Sequence, residues 1–157
     1  MNKLYAILTN APLKNPWCPK KSGASWTGNP DKTDIVKEIS KKTPLLLDVV
    51  FECCGQQDAV FQAVDLLKPG GKLVFIGIPP ELDNWLLPVD KLRRKEICIQ
   101  NVRRQNHCTQ KALDMIDNKE INVDEMVTHR LAFEDTKEAF ELVAEYKDGV
   151  MKAMIEV

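Results

Sequence analysis

A chain of 157 residues, 44% of them apolar, suits one domain with a real hydrophobic core and does not have the composition of a disordered segment. With 22 basic against 23 acidic side chains the formal net charge is -1, so no overall field draws the chain to nucleic acid or to an anionic membrane. No apolar run approaches the roughly 20 residues that span a bilayer, and no basic segment with an apolar signal core opens the sequence, so a cytoplasmic protein without membrane partners is expected.

Lys3 to Thr9 reads as a strand, whereas Asn10 to Ser22 holds three prolines among lysines with no periodicity and reads as loop or disorder. The first acidic residue is Asp31. Residues 1 to 22 are therefore set apart as an atypical N-terminal segment. The expectation is that they arise from a disrupted reading frame or an internal start, with a distinct short protein as the alternative. From Gly23 the pattern is regular. Asn29-Pro30-Asp31 is a turn, Asp31 or Thr33 is placed to cap a helix, and Ile35, Val36 and Ile39 give that helix an apolar face.

Leu46 to Phe51 is a short apolar run of the kind found in a strand covered on both faces. It stops at Cys53-Cys54-Gly55. Val60, Ala63, Val64 and Leu67 form a helical stripe, Lys68-Pro69-Gly70-Gly71 ends it, and Leu73 to Ile78 is the next strand. Strand, crossover helix and strand make a βαβ unit of a parallel sheet, whose ligands bind at the carboxyl ends of the strands. Leu82, Trp85, Leu86 and Leu87 are too apolar for a simply solvated stretch, and a loop folded on the core and a contact with a second subunit are equally open readings. A short helix over Val89 to Arg94, a strand over Glu96 to Val102 and a helix ending near Asn118 follow. Val127 to Leu131 is a further strand. Glu134-Asp135-Thr136 then opens a helix whose Ala139, Phe140, Val143 and Tyr146 share a face, and Lys152 to Val157 is the last strand. The expected fold class is α/β, a parallel sheet with helices on both faces.

Three blocks go further. Asp48-Val49-Val50-Phe51-Glu52-Cys53-Cys54-Gly55, Leu66 to Gly77, and Val127-Thr128-His129-Arg130 followed by Glu138-Ala139-Phe140 together resemble the zinc-type medium-chain dehydrogenases, above all those of alcohols, sorbitol and threonine. The resemblance covers about residues 23 to 157. It implies an incomplete Rossmann-like coenzyme domain plus a C-terminal helix and strand, binding NAD or NADP. It also implies site residues: Cys54 and Gly55 beside the coenzyme, Ile76, Gly77 and Ile78 along the nicotinamide, Val102 and Arg104 at the carboxamide, and Lys152 toward the pyrophosphate. At Gly77 the resemblance implies close approach of backbone to ring.

The departures are equally specific. No GxGxxG turn is present for the pyrophosphate, and Ile7-Leu8-Thr9 offers no acidic strand end for the ribose. The zinc-holding catalytic region of the family has no counterpart, so no catalytic and no metal residue is carried over.

The remaining candidates read blandly. His107 and His129, separated by a helix, have structural roles rather than metal. The five cysteines, Cys18, Cys53, Cys54, Cys98 and Cys108, show no CxxC spacing and are expected to be free and mostly buried. Lys91, Arg93, Arg94 and Lys95, with Arg103 and Arg104, read as solvated or ion-paired before they read as a phosphate site. The leading function is the C-terminal coenzyme-binding portion of an alcohol or polyol dehydrogenase, inactive alone, associating with a second copy or with a catalytic half. The alternatives are a Rossmann-like methyltransferase portion, which shares the Lys68-Pro69-Gly70-Gly71 turn, and a non-enzymatic interaction module.

Overall fold

Asn29 turns the chain by accepting the Asp31 amide on its side chain at 2.8 Å, and α1 (Ile35–Lys42) begins where Asp34 accepts the Lys37 amide at 3.0 Å. The cap is thus Asp34, not Asp31 or Thr33, because only Asp34 lies three residues before an orphan helical amide within its reach. The computed structural model describes residues 5–7, 23–79 and 84–157. The expected loop from Asn10 to Ser22 falls outside them, while the expected N-terminal strand is present as β1 (Tyr5–Ile7), paired with β2 (Trp26–Gly28).

Two compact units divide the chain, Gly28–Arg104 and a second made of Met1–Thr27 with Gln105–Val157. In the first, β3 (Leu47–Glu52), α2 (Gln57–Leu66) and β4 (Leu67–Phe75) form the expected βαβ unit. After α3 (Val89–Arg94), β5 (Cys98–Asn101) completes a parallel three-stranded sheet of order β3-β4-β5. Val50 lies beside Leu73, and Leu73 beside Ile99, so these three share the face that α2 covers. Val60, Ala63, Val64, Leu67, Leu73 and Phe75 form the core there, joined by Trp85, Leu92 and Ile97. Burying each large aliphatic side chain contributes about 1.5 to 3 kcal/mol, which makes this cluster the main support of the unit.

Lys95 reinforces it from outside. Its ammonium donates to the carbonyls of Val64, Asp65 and Leu67 at 2.9, 2.9 and 2.8 Å, closing the C-terminal end of α2 where unpaired carbonyls and the helix dipole favour a cation. The neighbouring basic residues are ion-paired as expected, Lys91 with Asp65 and both Arg93 and Arg94 with Asp90.

The other sheet face departs from the expected cover. Val49 and Phe51 stand opposite in phase to Val50, and Phe51 is 61% exposed. An apolar run signals burial but not by what: among the described residues Val49 and Phe51 stay exposed on this face, whereas Val74 beside Phe51 is buried. The cysteines follow the same logic. Cys53, Cys54, Cys98 and Cys108 form no disulfide and are exposed rather than buried: Cys53 and Cys54 lie past the end of β3, Cys98 is out of phase with the half-buried Ile99, and Cys108 precedes α4 (Thr109–Asp117). The Trp85 segment divides. Trp85 stacks on Phe75 with ring centroids 4.3 Å apart, while Leu86, bracketed by two hydrogen bonds with the Gln57 amide, turns outward.

In the second unit β6 (Val127–Ala132) and β7 (Lys152–Glu156) pair in parallel, with α5 (Thr136–Ala144) packed on both. Ala139 and Val150 are buried, but Phe140 is 72% exposed, so α5 does not present Ala139 and Phe140 on one buried face as expected. Adjacent helical positions lie about 100° apart, and here the inward stripe centres on Ala139. Thr128 ties the strands by donating to the Lys152 carbonyl at 3.2 Å and accepting the Met151 amide at 2.9 Å. No helix among the described residues is long and apolar enough to cross a membrane.

Candidate functional site

The site is the carboxyl edge of the three-stranded sheet. Parallel pairing brings the ends of β3, β4 and β5 to one side, and the backbone stitches them there. The Glu52 carbonyl accepts the amides of Ile76 at 2.8 Å and Gly77 at 2.9 Å, while the Val102 amide donates to the Phe75 carbonyl at 3.0 Å. Cys54, Gly55, Ile76, Gly77, Ile78 and Val102, expected at the coenzyme from resemblance alone, are therefore brought together. Ile76, Ile78 and Val102 are exposed, Ile78 at 83%, and offer an apolar rim at this edge. Arg104, two residues beyond Val102, is exposed in the left-handed region with φ 51°. Lys152 opens β7 with an exposed side chain and belongs to the second unit.

Two glycines set the edge's shape. A Cβ on Gly55 would lie 2.1 Å from the Ile78 carbonyl oxygen, and φ is 74° there, so the position excludes a side chain twice over. On Gly77 it would lie 2.4 Å from both the Gly55 amide nitrogen and Glu52 Oε2. The space a side chain needs at Gly77 is thus taken by the neighbouring strand end. The packing of the two loops already demands glycine, before any approach to a ring is considered.

Glu52 closes β3 with a carboxylate that is only 3% exposed. Its Oε1 accepts the amides of Cys54 at 2.9 Å and Gly55 at 2.7 Å and the Cys54 thiol at 3.0 Å, whereas Oε2 is buried without a hydrogen-bond partner. Beside it the Cys53 thiol is pushed up from its ordinary value, first by the loss of hydration and then by the negative charge of Glu52. Glu52 stands in the first resembling block, yet no role was expected of it. The signal was an acidic residue closing the apolar run Val49-Val50-Phe51, where a buried ionised group costs several kcal/mol unless hydrogen-bonded.

Residues fit for a dinucleotide are present here in part. Exposed aliphatic side chains and glycine-shaped backbone at strand ends suit a flat ring, while the glycine-rich turn that holds a pyrophosphate is missing from the sequence. Among the described residues no group of three or more His, Cys, Asp or Glu side chains is placed to hold a metal ion. His129 instead hydrogen-bonds Thr128 at 2.9 Å and faces Asp148 at 3.3 Å, a structural setting.

Comparison with known proteins identifies the family. Residues 18–118 match the family described as zinc-binding dehydrogenase. Sorbitol dehydrogenase of Mus musculus is 34% identical over 160 residues, covering 99% of this chain and 43% of that enzyme. L-arabinitol 4-dehydrogenase of Talaromyces emersonii is 35% identical over 107 residues, 68% of this chain and 27% of that enzyme. Among solved structures, an alcohol dehydrogenase of Escherichia coli in complex with NADH superposes with a TM-score of 0.80 at 18% identity over 96% of this chain and 44% of its own, a likeness of fold. The chain spans well under half the length of these relatives. On the match across 18–118 and the sorbitol dehydrogenase likeness, it belongs to the zinc-binding dehydrogenase family, in the part that carries the Rossmann-like coenzyme domain.

Proposed function

We propose that this chain binds the nicotinamide end of NAD or NADP as the coenzyme half of a polyol or alcohol dehydrogenase. The observation that carries the reading is the meeting of Gly55, Gly77 and the exposed Ile76, Ile78 and Val102 at one carboxyl edge of a parallel sheet. The relatives named above act, by their names, on sorbitol and L-arabinitol, which supports a polyhydroxy substrate for the complete enzyme. In that enzyme a zinc ion supplied outside the described residues would polarise the alcohol oxygen, and the coenzyme would accept the hydride. The chain's own part is to hold the ring: apolar side chains exclude water from it, and Arg104 and the backbone near Val102 orient its carboxamide. We place the chain in the cytoplasm, where exposed thiols such as Cys53 and Cys54 stay reduced, and expect it to associate with a catalytic half or a second copy.

The test is thermal melting with NADH, NADPH and S-adenosylmethionine in parallel. Stabilisation by a nicotinamide nucleotide alone is expected. Stabilisation by S-adenosylmethionine alone, or by none of the three, would contradict the coenzyme reading.

A further inference from the structure

We propose that Glu52 is the positioning residue of the nicotinamide site, its side chain pinning the Cys54-Gly55 turn and packing on Gly77 while its backbone carbonyl holds the facing loop; the proposal rests on the coenzyme reading above. Glu52 bonds to four of the residues expected at the coenzyme. Its carboxylate Oε1 holds the amides of Cys54 and Gly55, and its backbone carbonyl holds those of Ile76 and Gly77. The thiol of Cys54 donates to the same Oε1 at 3.0 Å, which directs that side chain as well. The remaining oxygen, Oε2, lies over Gly77, so close that a Cβ there would be 2.4 Å away. The two loops are thus held both by bonds from Glu52 and by contact through it.

Stability alone does not account for a carboxylate at this place. A buried acid with one oxygen unpartnered stabilises a fold less than an apolar side chain of equal volume. What an apolar side chain cannot do is accept two amides of one turn at once, and that is the function Oε1 performs. Residues that present backbone to a ring must be fixed to within about half an ångström, and Glu52 is the group that does so here. Because the Glu52 side chain acts only through Cys54, Gly55 and Gly77, its removal leaves the backbone carbonyl bonds in place and is felt at the nicotinamide end and not at the adenosine end of the ligand.

The experiment compares the full chain with Glu52→Ala, Glu52→Asp and Glu52→Gln, reading amide hydrogen exchange at Cys54 and Gly55 and the Kd values of NADH and ADP-ribose. Glu52→Ala, and Glu52→Asp should the alanine variant not fold, is expected to speed exchange of the two amides at least tenfold while α2 amides keep their rates. NADH binding weakens at least tenfold and ADP-ribose binding stays within twofold. Glu52→Gln, which keeps the accepting oxygen, stays near the wild type in all three readouts. Equal weakening of NADH and ADP-ribose, or unchanged exchange at Cys54 and Gly55, would overturn the proposal. If the unaltered chain binds neither ligand, the coenzyme reading falls and with it the role at the ring, while the exchange data still decide whether Glu52 pins the turn.

Discussion

Gly55 and Gly77 are the residues where the account is most exposed to test. Alanine at Gly55 meets the Ile78 carbonyl and must hold a left-handed backbone, so Gly55→Ala is expected to cost about 2 to 5 kcal/mol, read from urea unfolding. An unchanged midpoint would mean that the two loops do not interlock as described. Cys53 provides a second test. Its thiol is held above its ordinary value, so its alkylation by iodoacetamide at pH 8 should be slower than that of a cysteine in a short peptide, and should rise as pH increases. Peptide mapping of the labelled chain reads the rate. These residues show what sequence gives and withholds. The glycines were legible as strand-end positions, but the reason for Gly77 was not, because it lies in atoms of Glu52 and Gly55 that only the parallel register brings near. Cys53 and Cys54 were read as buried from their residue type, whereas their exposure follows from where β3 stops.

At the scale of elements, α2 and α3 carry the clearest energetic statements. Removing the Lys95 ammonium leaves the carbonyls of Val64, Asp65 and Leu67 without it, and Lys95→Met is expected to lose about 2 to 3 kcal/mol in chemical denaturation. A variant as stable as the parent would show that water replaces the cap at no cost. Asp90 gives a pH dependence. Hydrogen bonds from Arg94 and then Arg93 hold its carboxyl below the ordinary value, so its contribution is present above that value and is lost as pH falls through the lower folded one. Asp90→Asn should therefore lower Tm slightly at neutral pH and converge on the parent at acid pH, which flattens the acid limb of a plot of Tm against pH. The elements themselves were legible from periodicity because α2 buries a stripe and β4 ends in the buried apolar run Leu73-Val74-Phe75. The face of α5 was not, since Ala139 and Phe140 are both apolar and only packing tells which one turns inward.

For the whole molecule, the open face and free edge of β3 are the dominant fact. Among the described residues no strand pairs with the outer edge of β3, and Val49 and Phe51 lie exposed beside it. The isolated chain is expected to self-associate as its concentration rises, and Phe51→Lys to reduce that association in light scattering. A monodisperse monomer at high concentration in both would contradict this. The resemblance was legible in the order of three short blocks, and the family match over residues 18–118 agrees with it. The substrate was not legible, since no described residue is assigned to hold it.

The most direct measurement is a titration of the isotopically labelled chain with NADH, followed by amide NMR. The account predicts saturable shifts concentrated at Cys54, Gly55, Ile76, Gly77, Ile78, Val102 and Arg104. No saturable shift, or shifts that leave the edge formed by β3, β4 and β5 untouched, would contradict it.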